Sequence, residues 1–359
     1  MSTKIEWADK TWNPITGCTK ISEACEHCYA ERMSKRLAGR CGYPKGNPFT
    51  VTYHQDKIDD PLRWRKPSRI FVCSMGDLFH DAVEEWMLDE IFGVILGSRI
   101  FNNTANHTFM ILTKRPERMK EYLTSRTPVD LLKAWANSCP WYTQDPDVTV
   151  EELVFSATCR DWDENGRNSS GSEHKPWGYL EKIWPLPNVW LGVTAENQVR
   201  ALERIPILLE TPAAKRFVSC EPLLESIDLA NLWHVCPECG SWEIYEPRGG
   251  TRYCDDCGAD VPIPKVGLDW VICGGETGPG ARPMHPDWVR SLRDQCKSAE
   301  VPFFFKQWGE WTTVYPQGLT SAVRKQTYQY GTSFYGIDKK TAGRSLDGRT
   351  WNQYPEVME

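Results

Sequence analysis

The sequence predicts an α/β chain: a partial or complete β/α (TIM-like) barrel with an inserted zinc ribbon. Three observations predict it. Short apolar, β-branched runs recur, each with a polar tip and most with a helical pattern behind it. Two Cys-x-x-Cys pairs interrupt that rhythm late in the chain. Three further cysteines occupy the loop after the likely first strand.

Six runs are clear. "RIFVCSMGDLF" (69–79) leads to the amphipathic "VEEWMLDEIFGVILGS" (83–98), and "HTFMILTKRP" (107–116) leads to "ERMKEYLTS". "NVWLGVTAEN" (188–197) leads to "QVRALERIPILLE", which "KRFVSCEPL" (215–223) follows. "LDWVICGGETGPG" (268–280) leads to "PDWVRSLRDQCKSA" (286–299), and "VPFFFKQWG" (301–309) closes the series. Continuous apolar runs of this length are buried parallel strands, and the helices between them are right-handed crossovers. A seventh strand is expected before Cys18. The expected organisation is a barrel over 1–230 and 266–309, with 139–187 as an irregular insertion or lid. Residues 231–265 form the ribbon insertion and 310–359 a C-terminal extension.

Barrels of this kind place their chemistry at the C-terminal ends of the strands. The tips offer Ser74 and Asp77; Thr113, Lys114 and Arg115; Thr194, Glu196 and Asn197; Ser219 and Glu221; Gly274, Gly275 and Glu276; Lys306 and Gln307. A single polar tip is equally explained by contact with solvent. The set favours a site.

Net charge is −6, so any nucleic-acid surface must be a local patch. The 17 Trp suggest stacking surfaces as well as core. The N-terminus has no apolar segment of the signal-peptide kind, and no apolar run approaches the roughly 18 residues of a membrane span. A cytoplasmic protein without a membrane partner is expected. Its 14 cysteines then read as metal or redox ligands, or as core, not as a disulfide framework.

"CPECGSWEIYEPRGGTRYCDDCG" carries Cys236, Cys239, Cys254 and Cys257 at C-x2-C-x14-C-x2-C spacing, with glycine after each pair. Four thiolates at that spacing close a tetrahedral Zn²⁺ site, structural because it is full. Trp233, Trp242, Tyr245, Arg248, Arg252 and Tyr253 are available for stacking and phosphate contact. An insertion with no such role is equally open.

"NPITGCTKISEACEHCYAER" (13–32) carries Cys18, Cys25 and Cys28 at C-x6-C-x2-C, with an aromatic after the last. Three readings fit: a zinc site completed by His27 or a distant residue, a cluster of reactive or incidental thiols, or a [4Fe–4S] cluster on three thiolates. In the third, one iron stays open to S-adenosylmethionine. The usual spacing for that chemistry is C-x3-C-x2-C, and the six-residue gap departs from it.

The stretches "IEWADKTWNPITGCTKISEACEHCYAERM", "VCSMGDLFHDAV", "TFMILTKRPERM", "VWLGVTAENQ", "RFVSCEPLL", "LDWVICGGETGPGARPMHPDWVRSLRDQC", "PFFFKQWGEW" and "LDGRTWNQYP" run through almost the whole chain in order. In them the chain resembles a phage-associated three-cysteine-motif family of unknown function, found in phages and bacteria. That family is radical-SAM-like and distantly similar to spore photoproduct lyase. Ala24 stands where the family usually has glycine, and Cys73 where it has asparagine.

The resemblance implies a [4Fe–4S] cluster on Cys18, Cys25 and Cys28, S-adenosylmethionine, an electron donor, and a DNA or nucleotide substrate. Radical-SAM enzymes carry a Gly-Gly-Glu that meets the methionine amino group soon after the cluster loop. Here Gly274-Gly275-Glu276 lies on a late strand, so Ser74 and Asp77 are expected at that polar end. Gly274, Gly275 and Glu276 are expected in another part of the pocket, the carboxylate toward a ribose or an amine. Thr113, Lys114, Glu196 and Glu221 complete the expected cofactor-binding set. A thiol often returns a hydrogen atom in such chemistry, which makes Cys73, Cys220 and Cys273 catalytic candidates, with Cys159 also near a strand; buried core thiols are the plainer account. Basic clusters at 31–40, 63–69 (with Trp64) and 113–120 suit a phosphate backbone or are solvated faces. Two rival readings stay open: an iron–sulfur protein that binds nucleic acid without S-adenosylmethionine chemistry, and a binding module with zinc in both cysteine sets.

Overall fold

The computed structural model describes residues 3, 5–100, 106–140, 184–229, 244–245, 252–261, 267–313, 325–327 and 332–356. Seven strands form the main sheet: β1 Lys10–Trp12, β2 Arg69–Val72, β3 Thr108–Thr113, β4 Val189–Thr194, β5 Lys215–Cys220, β6 Trp270–Gly274 and β7 Phe303–Gln307. They are hydrogen-bonded in chain order in one parallel sheet. Each expected run is therefore a strand. β4 and β6 are buried at every residue, as expected of strands covered on both faces.

Among the described residues β1 and β7 do not pair, so the sheet is open and the partial form of the barrel is the one observed. The outer edge of β7 is covered by the tail of the chain. Phe305 N donates to Trp351 O (3.0 Å), Gln353 N donates to Phe303 O (3.3 Å), and Phe304 bridges Asn352 antiparallel. Asp347 anchors this tail through Arg290 and Arg293. An unpaired edge strand invites other chains, and this segment removes the invitation.

Helices α1 Tyr29–Leu37, α2 Glu85–Ile100, α3 Pro116–Thr124, α4 Pro128–Ser138, α5 Gln198–Glu210 and α6 Pro286–Ser298 lie between or after the strands. None of the described helices is long and apolar enough to cross a membrane. The chain divides into two compact units. The first holds 1–19, 30–191 and 210–215; the second holds 20–29, 192–209 and 216–359.

Within the second unit, Ile244–Tyr245, Arg252–Cys254 and Asp260–Val261 form a small antiparallel sheet. Cys254 and Cys257 flank a tight turn in which Gly258 N donates to Cys254 O (2.8 Å) and Gly258 has φ +70°. Cys236 and Cys239 lie outside the described residues, as do 141–183 of the expected insertion.

Candidate functional site

In the first unit the chain reaches Cys18 through a loop held at each step. Asn13 Oδ1 accepts from Ser74 Oγ (3.1 Å) and from Met75 N (3.0 Å). Thr16 Oγ1 and His54 Nε2 share a hydrogen bond of 2.8 Å, and burial holds the His54 ring below the usual imidazole range. Gly17 donates to Met75 O and bridges Gly76. With φ +86°, and Thr50 O 2.2 Å from where a Cβ would stand, that position admits only glycine.

Arg115 meets the sulfur. Its Nη1 donates to Cys18 Sγ (3.4 Å) and Asp77 Oδ2 (3.1 Å), and its Nη2 donates to Thr19 Oγ1 (2.9 Å) and Thr19 O (3.3 Å). Asp77 also accepts from Thr113 Oγ1 (2.7 Å), Lys114 N (3.1 Å) and Phe79 N (3.1 Å). Both side chains of the Arg115–Asp77 pair are only 8% exposed. Burial opposes the charge of Arg115, but Asp77 and then Cys18 outweigh it, and its pKa stands above the ordinary guanidinium value. The structure thus brings Asp77, Thr113 and the backbone of Lys114 together, with Asp77 engaged by four donors of its own chain.

In the second unit the loop of Cys25 and Cys28 is fastened by carboxylate–arginine pairs. Glu196, 0% exposed, accepts Arg204 Nη1 on Oε2 (2.9 Å) and Ala24 N on Oε1 (3.4 Å). Glu276 takes Arg282 Nε on Oε2 (2.8 Å) and Nη2 on Oε1 (2.6 Å). Arg282 then reaches Glu26 Oε2 (3.0 Å) and Glu23 O (3.0 Å). Arg200 grips Glu23 with two bonds of 3.1 Å and holds its carboxyl down at about 2.

The other tip residues of this unit form a separate group. Lys306 Nζ donates to Glu221 Oε1 (2.8 Å), and Gln307 Nε2 donates to Gly275 O (2.7 Å). A Cβ on Gly275 would stand 2.2 Å from Trp308 O, and one on Gly274 3.1 Å from Glu221 Cδ. The glycines therefore make room for protein atoms.

Cys220 and Cys273 are register partners in β5 and β6, so they project from one face of the sheet. Cys296 of α6 lies near both, which makes that face the helix-covered one. Burial pushes both thiols far above the usual range; the Glu196 charge adds to this at Cys220, and Cys220 and Glu221 add at Cys273. Cys73, 2% exposed and with φ +54°, is pushed up to about 12 by burial. Cys159 lies outside the described residues.

Arg204 and Arg282 escaped the sequence reading. Arg204 had a signal: it falls on the buried stripe of α5 with Ala201, Ile205 and Leu208. An arginine on an apolar stripe requires a buried partner. Arg282 sits in a Gly- and Pro-rich loop with no periodicity to flag it.

Cys18, Cys25 and Cys28 are unbridged and partly exposed, whereas Cys73, Cys220, Cys273 and Cys296 are buried. Cys18 belongs to the first unit and Cys25 and Cys28 to the second; each thiol is by its chemistry a donor suited to soft, sulfur-bound groups. Among the described residues no three His, Cys, Asp or Glu side chains are drawn together closely enough to hold a metal ion. The family model "Protein of unknown function (DUF5131)" matches residues 2–355. The chain belongs to this family. No curated protein and no solved structure matches it.

Proposed function

We propose that the chain is a radical-SAM-like [4Fe–4S] enzyme acting on DNA or a nucleotide, in photoproduct-lyase-like repair or modification. Cys18, Cys25 and Cys28 are the cluster ligands, and Cys236, Cys239, Cys254 and Cys257 hold a structural Zn²⁺. The observation that carries the reading is the run of three accessible, unbridged thiols just after the first strand of a parallel sheet, with buried Arg115 at one sulfur; Cys41 and Cys257 are exposed as well but stand apart in the sequence. When bound, such a cluster supplies the electron that opens S-adenosylmethionine to a 5′-deoxyadenosyl radical. Arg115 favours the thiolate of Cys18 by charge and hydrogen bond.

For a phosphate backbone, the exposed Arg36, Arg40, Lys45 and Lys66 are better placed than the 113–120 cluster. In that cluster Arg115 serves Asp77 and Cys18, Arg118 donates to His80 O and Val83 O, and Lys120 pairs with Glu210.

One observation favours the second reading, an iron–sulfur or zinc protein that binds nucleic acid without S-adenosylmethionine chemistry. Asp77, Glu196 and Glu276 are all engaged by arginines. Anaerobic purification with metal analysis tests both. About four irons per chain with dithionite-dependent release of 5′-deoxyadenosine supports the enzyme. Iron without that product supports the second reading. A colourless protein with zinc alone after iron–sulfide reconstitution removes the cluster.

A further inference from the structure

We propose that Glu196 and Glu276 are positioning residues: two buried carboxylates that hold the loop 20–29, with Cys25 and Cys28, in one conformation. The proposal assigns the Gly-Gly-Glu of 274–276 a role inside the protein, and its bearing on a cluster rests on the function proposed above.

Before α1 begins at Tyr29, the loop has one short 3-10 turn, Glu23–Cys25, and its internal bonds are local: Cys25 N to Ser22 O, Glu26 N to Glu23 O, Lys20 Nζ to Glu26 O, and Ser22 Oγ with Cys25 Sγ. These bonds span at most six residues, so its long-range anchoring comes from outside the loop. Glu196 provides one anchor, accepting the Ala24 N–H while Arg204 neutralises its other oxygen. Glu276 provides a second at one remove, beside the grip of Arg200 on the Glu23 side chain. It takes the backbone N of Arg282 (2.8 Å) as well as its guanidinium, so the side chain is aimed before it meets the loop. The remaining guanidinium edge then bonds Glu23 O and Glu26. A planar fork with five N–H donors can serve a carboxylate on one edge and a loop on another; an ammonium cannot. Behind the loop, His27 packs against Gly280, where a Cβ would stand 2.8 Å from the ring. A side chain at that position would push the loop outward.

The test is hydrogen–deuterium exchange of the full chain, purified anaerobically, read on the peptide spanning 20–29 and on β6 as an internal control. Arg282→Ala should speed exchange in 20–29 about tenfold, the loss of roughly one charge-assisted anchor, with β6 unchanged. Arg282→Lys should restore little of it, and Glu26→Gln, at the exposed end, should cost about twofold. Exchange in 20–29 within twofold of wild type in Arg282→Ala would overturn the proposal, as would loosening shared equally with β6. If Arg282→Ala does not fold, Arg282→Lys decides by the same two criteria, any loosening in 20–29 of threefold or more with β6 unchanged being support. Iron separates this from the reading it rests on. A wild-type chain without iron removes the cluster and leaves the exchange result standing. With iron bound, chelator-driven iron loss should be faster in Arg282→Ala, and an unchanged rate would show that the clamp does not serve the cluster.

Discussion

The thiols of loop 18–28 and the buried thiols in and beside the sheet carry the same functional group in opposite settings. Cys18, Cys25 and Cys28 are partly exposed, and a guanidinium donates to one of them. Cys73, Cys220, Cys273 and Cys296 are exposed by 2% or less, and burial raises the pKa of each. Burial penalises the charged thiolate and a nearby cation favours it, so thiolate character is favoured in the loop and packing among the buried thiols. The contrast bears on the catalytic candidates too: Cys220 and Cys273 face α6, on the side of the sheet opposite Ser219.

The largest expected effect breaks the comparison outright. Alanine at Cys18, Cys25 or Cys28 should abolish iron binding after anaerobic reconstitution, whereas alanine at Cys73, Cys220 or Cys273 should leave it. Iron retained in all three loop variants would remove the ligand assignment. Alkylation of the native chain follows: the loop thiols of the metal-free protein should label about a thousandfold faster than Cys73, Cys220, Cys273 and Cys296, which require an opening event. Peptide mass spectrometry after timed quenching reads both sets in one sample.

Arg115→Met then probes what sets the loop apart. It leaves buried Asp77 without its cation, and a loss of about 3–5 kcal/mol is expected in urea denaturation. Adding Asp77→Leu should recover part of that loss. A smaller cost of about 1–3 kcal/mol is expected for Cys220→Ser, which buries a hydroxyl where the sulfur makes no hydrogen bond among the described residues, while Cys25→Ser should stay within about 0.5 kcal/mol. Equal costs at the two positions would erase the contrast.

The smallest effect lies at the tail that covers β7, the neighbour of the strand bearing Cys273. Arg290 and then Arg293 hold the Asp347 carboxyl below its ordinary value of 3.8. Its folded-state pKa is depressed, so its contribution is complete above that value and fades as pH falls through the lower folded one. Acid titration should therefore loosen the tail in that window, seen in the exchange of the Trp351 peptide, and Asp347→Asn should flatten the response.

The seven strands were legible because a buried parallel strand needs little beyond a run of apolar residues, and those runs are local. The crossovers were legible for the same reason. The tail was not: its residues make no periodic pattern, and its partner is the backbone edge of β7, which any sequence presents alike. Among the site residues, Asp77 and Glu196 were singled out by position, but their partners were not. Lys114 joins the Asp77 cluster through its backbone, a role that side-chain reasoning does not reach.

What the sequence alone determined is therefore what is local: the apolar runs, the spacing of the cysteines and the glycine-bearing turns. What only the tertiary structure decided is which polar and charged groups meet. Arg115 lies 97 residues from Cys18, Ala24 lies 172 from Glu196, and Glu26 lies 256 from Arg282. A charged or polar group leaving water must find a partner, but nothing in the chain between them encodes which one. The fold chooses the partner by bringing it within about 3 Å, where the cost of leaving water can be offset.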